Sequence, residues 1–194
     1  MKYQGGRNSL GFIAGIIVLI SLFLPWYEMH GRLEEGEAYW KVYPLWQDYS
    51  QITRIFPESW KASGPPMPRI AFFLLPSTAI ALSSAFVKTW SRRTLSLTVS
   101  TALNLVGIGD FVQSWLQITI RNGFPPPPGE LVFEETAFTT AWGLGVFIAG
   151  IGLILTGMAA CLDAFRITMV MGKEAAESLS RHRTTPQATG RDAV

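Results

Sequence analysis

Hydrophobic positions along this chain fall into four long blocks, separated by polar stretches of unequal length. The blocks cover residues 9–27, 69–88, 95–117 and 141–163. Within each block the apolar residues follow one another almost without interruption, whereas an amphipathic surface helix would repeat them every three or four positions. A run of about 20 apolar residues can cross a bilayer as a helix. The pattern therefore predicts four transmembrane helices.

The composition supports a membrane protein and narrows the possible chemistry. Charged residues make up only 15% of the chain, whereas soluble proteins contain about a quarter. The net charge of +2 indicates no nucleic-acid partner. Cys161 is the single cysteine, so no intrachain disulfide can form, and the two histidines add too few ligands for a zinc site. We expect no metal and no cofactor.

Basic residues set the predicted orientation in the membrane. The short link after the second block contains Lys88, Arg92 and Arg93, and short basic links stay in the cytoplasm. Both termini then lie in the cytoplasm, and the loops over residues 28–68 and 118–140 lie outside it. The tail over residues 166–194 is polar and of mixed charge, which predicts a disordered cytoplasmic segment.

The two outer loops carry signals of folded structure. The run Ala38–Tyr43 is rich in aromatic and β-branched residues and predicts a strand, with Gly31 and Gly36 as turn positions. Residues 52–60 are compatible with either a short helix or a further strand. Residues after the prolines at 125–128 are expected to add one strand. The loops therefore predict a small folded cap, with a position against lipid headgroups as the alternative.

Small residues give two of the predicted helices surfaces suited to close packing. Gly11 and Gly15 form a GxxxG pattern in the first helix, which allows another helix to approach closely. The alternative is that this common pattern arose by chance. The fourth helix has small residues at helical spacing along one face: Gly145, Ala149, Gly152, Thr156 and Ala160. We expect these faces to seat neighbouring helices, including those of other membrane proteins.

Two polar residues interrupt the third predicted helix. Asn104 lies near its middle, and we expect its amide to bond to another helix. Asp110 is the one ionisable residue inside a predicted span; it lies about 22 Å from Leu95 along the axis, nearer the outer face. Proton or ion handling by Asp110 is the alternative to a structural hydrogen-bonding role. Three more polar residues share its helical stripe: Gln113, Ser114 and Gln117.

Several short motifs resemble the claudin/PMP22 superfamily of four-helix membrane proteins. Leu24-Pro25-Trp26 follows the first helix, and Pro44-Leu45-Trp46 comes about twenty residues later, where that family has Gly-Leu-Trp. Arg69 matches a basic residue common at the start of the family's second helix. The family's two loop cysteines are missing. Further matches lie at the end of the third helix and the start of the fourth: Ser114-Trp115, Ile118 to Arg121 with Phe124, and Trp142-Gly-Leu-Gly.

This resemblance implies a fold of the all-α membrane class. It would be a four-transmembrane-helix bundle with a small antiparallel β cap formed by both outer loops. Because the cysteines are absent, tryptophan packing would have to take the place of the family's disulfide. Trp46 is therefore expected to be essential for a folded cap.

Together these patterns predict a non-enzymatic integral membrane protein that works through protein contacts. An accessory or stabilising subunit of a larger membrane complex is the first hypothesis, with other integral membrane proteins or a second copy as partners. A claudin-type barrier or cell-contact protein that self-associates through its outer loops is the alternative. A small channel or ion-handling protein that uses Asp110 is the second alternative. The sequence contains no nucleophile–base set, phosphate-binding loop or CxxC pair.

Overall fold

Four helices and five strands make up the described part of the chain. The structure, a computed structural model, describes residues 8–33, 36–50, 67–122, 129–133 and 136–184. The helices are α1 (Ser9–Ser21), α2 (Met67–Ser84), α3 (Trp90–Asn122) and α4 (Leu144–Thr184). The strands are β1 (Tyr27–Leu33), β2 (Gly36–Val42), β3 (Gln47–Ser50), β4 (Gly129–Phe133) and β5 (Thr136–Trp142). The predicted strand or helix at residues 52–60 lies outside the described residues.

The helices form a four-membered bundle in which neighbours in the ring contact each other. α1 packs against α2 and α4, and α3 packs against the same two helices. Buried residues on α3 and α4 recur at spacings of three and four, the seam expected of helices that pack at a shallow angle. On α3 these residues are Arg93, Leu97, Ser100, Asn104, Gly107, Phe111 and Trp115; on α4 they are Gly145, Ala149, Gly152, Thr156, Ala159 and Asp163.

The interior of the bundle contains many small and polar residues beside buried leucines and aromatic residues, and many large apolar residues lie on the outside. Ser77 and Ser100 are fully buried and bond to each other, with 2.8 Å between their hydroxyl oxygens. Phe72 on α2, in contrast, is 74% exposed, and Ile154 on α4 is 62% exposed. A water-soluble bundle places its large apolar side chains in the core instead. The number of large apolar side chains on the outside of this bundle is therefore unlike that of a soluble bundle.

Two of the helices are long and apolar enough to cross a membrane. By length and composition they are α3, over Trp90–Gln117, and α4, over Leu144–Ser180. The apolar segments Ser9–Ser21 and Ile70–Ser84 are shorter. Pro76 lies within α2, as predicted for the second block.

Both connecting segments contribute strands to one antiparallel sheet, which confirms the predicted small antiparallel sheet. Its strand order is β3-β2-β1-β5-β4. β1 and β2 form a hairpin with Leu33 opposite Gly36, whose φ of 134° favours glycine at the turn. β1 also pairs with β5, with Tyr27 opposite Trp142, so the sheet joins the two connections. The second connection supplies two strands, β4 and β5, where the sequence predicted one.

The first and fourth helices are placed differently from the prediction at their sheet ends. α1 ends at Ser21, not at residue 27, because the chain turns through Pro25 and the Trp26 amide donates to the Val42 carbonyl at 2.6 Å. Tyr27 then starts β1. α4 starts at Leu144, not at residue 141, because Thr136–Trp142 forms β5.

The opposite ends of α3 and α4 also differ from the prediction. α3 starts at Trp90, so Arg92 and Arg93 belong to its first turn and not to the link before it. α4 continues to Thr184 through most of the segment predicted to be disordered. From Ala164 to Ser180 its side chains are exposed or half-buried, so this stretch extends past the core of the bundle.

Candidate functional site

A buried ionic cluster closes the end of the bundle away from the sheet. Arg93 on α3 donates from Nε and Nη2 to the two carboxylate oxygens of Asp163 on α4, at 2.6 and 2.8 Å. The Asn8 side-chain amide donates to the same carboxylate at 2.9 Å. Arg93 and Asp163 are fully buried. We call these three residues the ionic cluster.

Each member of the ionic cluster is positioned by the start or end of a packed helix. Asn8 is the N-cap of α1, and its side-chain oxygen accepts from the Gly11 amide at 3.1 Å. Arg93 lies in the first turn of α3, and Asp163 continues the buried seam of α4. One carboxylate therefore links three helices. Arg166 is a peripheral neighbour: its guanidinium is 3.7 Å from Asp163 and largely exposed.

The ionic cluster corrects two predictions. Arg93 was expected in a solvated cytoplasmic link, but it is buried and paired, so of the three basic residues assigned to that link Lys88 and Arg92 are the exposed ones. Asp110 was expected to be the one ionisable residue within a span; Asp163, the last residue of the predicted fourth block, lies on α4 and is fully buried. The sequence did contain a signal that Asp163 is buried. It lies seven residues, or two helical turns, after Thr156 and so continues the stripe of small residues.

An aromatic cluster joins the sheet to the opposite end of the bundle. Tyr27 stands at its centre, with its ring 4.0 Å from Trp115 and 5.9 Å from Trp40 between centroids. Trp26 meets Phe111 edge to face at 4.9 Å. The cluster combines three strands, the α1–β1 connection and α3: Trp26, Tyr27, Trp40, Phe111, Trp115 and Trp142.

Trp26 is held by both backbone and side-chain bonds. It is fully buried, and its indole N–H donates to the Ser21 carbonyl at 2.9 Å. A Cβ added at Gly145 would collide with its ring, so α4 can begin there only with glycine. Burial also raises the pKa of the neighbouring Tyr27 phenol, although a hydrogen bond with Thr140 acts in the opposite direction.

Trp46 is more exposed than its predicted packing role in the cap implies, and that role stays a prediction. It lies in the β2–β3 turn, is 40% exposed and stacks on Tyr43 at 4.6 Å. Phe23 is the other aromatic contact, at 6.2 Å. Three buried tryptophans attach the sheet to the bundle instead. Trp40 comes from the inner face of the sheet, Trp115 from α3 and Trp26 from the α1–β1 connection.

The polar residues of α3 are also placed differently from the prediction. Asn104 is fully buried, and its amide forms no hydrogen bond with any residue in the described ranges, so the expected bond to another helix is missing there. Asp110 and Ser114 are half-buried, to one side of the buried seam. Arg69 lies in the first turn of α2 and Arg121 near the end of α3; their side chains lie outside the described part.

The small-residue faces are occupied within this chain. The Cβ positions of Gly11 and Gly15 face Leu97, Ser84 and Leu82 of α2 and α3. On α4, Gly152 faces Val18 of α1, and Ala149 is buried in the core. These faces seat neighbouring helices as predicted, but the helices are the chain's own and not those of a partner.

The outer face of the sheet is polar and open. Glu28 and His30 are neighbours on β1, with 3.1 Å between the carboxylate and the imidazole Nε2. Lys41 on β2 lies over the Tyr39 ring, 5.7 Å from its centroid. A depression of about 300 Å³ crosses β1, β2 and β5 and is lined by His30, Gly31, Arg32, Glu37, Ala137 and Thr139.

These features define a class of architecture: a four-helix bundle with a polar and ionic interior, capped by a five-stranded antiparallel sheet. Among the described residues no group of three or more histidine, cysteine or acidic side chains could hold a metal ion. No protein-family model matches the sequence, and a search of curated proteins returns no significant match.

Proposed function

We propose that this chain is a multi-pass integral membrane protein that works through protein contacts, as an accessory or stabilising subunit of a membrane complex. The observation that carries the proposal is the distribution of side chains on the helices: many small and polar residues are buried in the bundle, and many large apolar residues are exposed on its outside. Lipid can cover such an exterior, whereas water would not solvate it favourably.

The height of the bundle supports a membrane location. Gly145 beside Trp26 and Asp163 in the ionic cluster lie 18 residues apart on α4, a rise of about 27 Å. A hydrocarbon core is about 30 Å thick. The aromatic cluster lies at one end of this distance and the ionic cluster at the other, so the length between them matches one bilayer core.

The two short helices fit the same layer with help from their flanking turns. α1 has 13 residues, a length of about 20 Å. The helical path continues for one more turn over Leu22, Phe23 and Leu24. Their backbone N–H groups donate hydrogen bonds to the carbonyls three residues earlier. Four spans, with the sheet outside and both termini in the cytoplasm, are therefore part of the proposal.

The closed interior favours contacts over transport. The aromatic cluster fills one end of the bundle and the ionic cluster fills the other. Leu97, between Ser100 and Arg93 on the buried seam of α3, has no exposed surface. Asp110 stands beside the seam and not on it, so the ion-handling alternative lacks a continuous polar path in the described part of the molecule.

The outer face of the sheet is the contact surface that the proposal favours. The small-residue faces already seat the chain's own helices, so they cannot also receive a partner. The face around Thr139 offers exposed donors and acceptors of both charges, which suits a polar interface. Claudin-type self-association, which the sequence motifs imply, is the second candidate, because the same open polar face of the sheet could also receive a second copy of the chain.

The test uses the full chain purified from its native membrane in mild detergent. We expect an unlike membrane protein to co-purify in fixed stoichiometry, and Thr139→Arg to abolish this because it places a cation on the outer face of the sheet. Ser178→Arg, on the exposed part of α4, is the matched control and should retain the partner. Self-association that Thr139→Arg disrupts would support the claudin-type candidate.

A chain that is monomeric and partnerless in native membranes would contradict both candidates. Labelling tests the membrane arrangement separately. In a Cys161→Ser background, a cysteine at position 139 should react with an impermeant reagent from outside intact cells. A cysteine at position 178 should react only after the cells are opened, and the reverse result would overturn the orientation.

A further inference from the structure

Asn104 is a fully buried amide without a partner in the described protein. Its side-chain nitrogen and oxygen are both inaccessible, and neither bonds to a residue that the structure describes. Asn104 lies 11 residues from Arg93 and 11 from Trp115, about 16 Å along α3 from each. It therefore stands midway between the ionic and the aromatic clusters.

An unpaired amide at this depth is energetically unfavourable. Its two N–H donors and its carbonyl oxygen lose their bonds to bulk water when the bundle forms, and nothing in an apolar surrounding replaces them. Buried polar groups of this kind are regularly satisfied by an internal water molecule with two to four polar neighbours. No lipid or partner protein can reach Asn104, because it has no exposed surface.

Hydroxyl groups that can serve a water molecule lie one turn from Asn104 along α3. There Ser100 exchanges hydrogen bonds with Ser77 of α2, and each hydroxyl oxygen keeps a free lone pair. On the neighbouring helix, the buried Thr156 donates to the Gly152 carbonyl and can still accept.

The layer around Asn104 is closed on both sides. Phe111 lies two turns towards the sheet and is fully buried, and Leu97 lies two turns towards the ionic cluster and is also fully buried. A water molecule bonded to Asn104 would be held there and would exchange slowly with the bulk. The same closure prevents the layer from acting as a conduit.

We propose that Asn104 is the anchor of an internal water-binding site at the centre of the bundle, one turn from the paired hydroxyls of Ser77 and Ser100. The site satisfies the amide that the protein leaves unpaired. It is independent of the partner contact proposed above, because it lies in the core and not on a surface.

The three asparagines of the chain, Asn8, Asn104 and Asn122, make the site measurable by NMR. Selective ¹⁵N labelling of asparagine side chains in the full chain gives three NH₂ signals, and Asn104→Leu assigns the one of interest. We expect a cross-relaxation peak between the Asn104 NH₂ group and water of long residence. The Asn8 NH₂ group is the internal control: it is buried but bonded to Asp163, and should show no such peak.

An Asn104 signal that is visible and lacks the water peak would overturn the proposal. Exchange with bulk water as fast as that of an exposed amide would overturn it as well, because the layer would then be open. X-ray radiolytic labelling covers the case of a broadened signal. Leu74, against the next turn of α3 at Gly107, should oxidise several-fold faster than Leu97, although both are fully buried. Equal protection of the two leucines would refute the site.

Discussion

At the scale of single residues, the pair Arg93 and Asp163 stabilises the fold only while both partners are present. Each charge alone would face the penalty of leaving water. The carboxylate oxygens are used by two guanidinium nitrogens and the Asn8 amide, and the arginine is bonded through its planar edge. The Asp163 carboxylate therefore has its hydrogen-bond partners within the cluster, and the cluster acts as a fixed junction between three helices. Neither Arg93 nor Asp163 faces solvent.

Removing one partner of this pair should be strongly destabilising. We expect Asp163→Asn to lower the free energy of unfolding by about 3–5 kcal/mol, because it leaves a buried guanidinium uncompensated. Thermal and denaturant unfolding in detergent would measure the loss. The double variant Arg93→Met with Asp163→Leu should recover most of it, because an apolar pair of similar volume carries no desolvation penalty.

Arg166→Met is the matched control for the ionic cluster. Arg166 also approaches Asp163, but it is half-exposed at 3.7 Å, and exposed pairs contribute about 0–1 kcal/mol. If Asp163→Asn proved no more destabilising than Arg166→Met, the assignment of Arg93 and Asp163 as a structural junction would be wrong.

At the scale of elements, two glycines on α4 allow the effect of helix packing to be measured separately from the effect of helix propensity. A Cβ at Gly152 would lie 2.5 Å from Val18 Cγ2 and 3.3 Å from the Val18 amide of α1. A Cβ at Gly150, two residues earlier, would meet nothing within 4 Å. The two positions therefore differ in their surroundings and not in their helical backbone.

We expect Gly152→Leu to separate α1 from α4 and to lower the midpoint of thermal unfolding, with a cost of about 1–3 kcal/mol or more from overpacking. Gly150→Leu should be neutral or stabilising by up to about 1 kcal/mol, because leucine is the better helix former. Circular dichroism during heating would measure both variants. Equal effects would show that α1 does not pack on this face of α4.

At the scale of the whole molecule, the aromatic cluster makes the sheet and the bundle one cooperative unit. Tyr27 and Trp40 belong to the sheet, whereas Phe111 and Trp115 belong to α3, and their rings lie in direct contact. Trp26 connects α1 to β1. Its indole N–H donates to the Ser21 carbonyl before it in the chain, and its backbone amide donates to the Val42 carbonyl after it. A proposed partner bound to the sheet would therefore be coupled mechanically to the helices.

The two tryptophans that carry the claudin-like motif should behave differently. Trp26→Ala is expected to cost about 3–5 kcal/mol, because it opens a large cavity at the junction. Trp46→Ala should cost less than about 1 kcal/mol, because much of the ring is already exposed. Unfolding followed by near-ultraviolet circular dichroism would distinguish them. An equal loss for Trp46→Ala would restore the role first predicted for that residue.

Much of the fold follows from local patterns in the sequence. The four apolar blocks correspond to four helices, because a helix satisfies the backbone hydrogen bonds of a long apolar run within the run itself. The run at Ala38–Tyr43 lies largely within β2, because aromatic and β-branched residues fit a half-buried pleated surface. Element ends were less predictable: α1 stops at Ser21 because a strand 20 residues downstream captures the Trp26 amide.

The sequence by itself determined the helix count, the presence of strands in both connections and the small-residue faces, since each depends on neighbours within a few residues. Only the tertiary structure decided what those features contact. Arg93 and Asp163 are 70 residues apart, so no local pattern could show that one neutralises the other. The glycine faces could equally have met a partner; the bundle uses them internally. Trp26 and Trp46 look alike in sequence, and burial alone separates them, because burial depends on which elements pack above each ring.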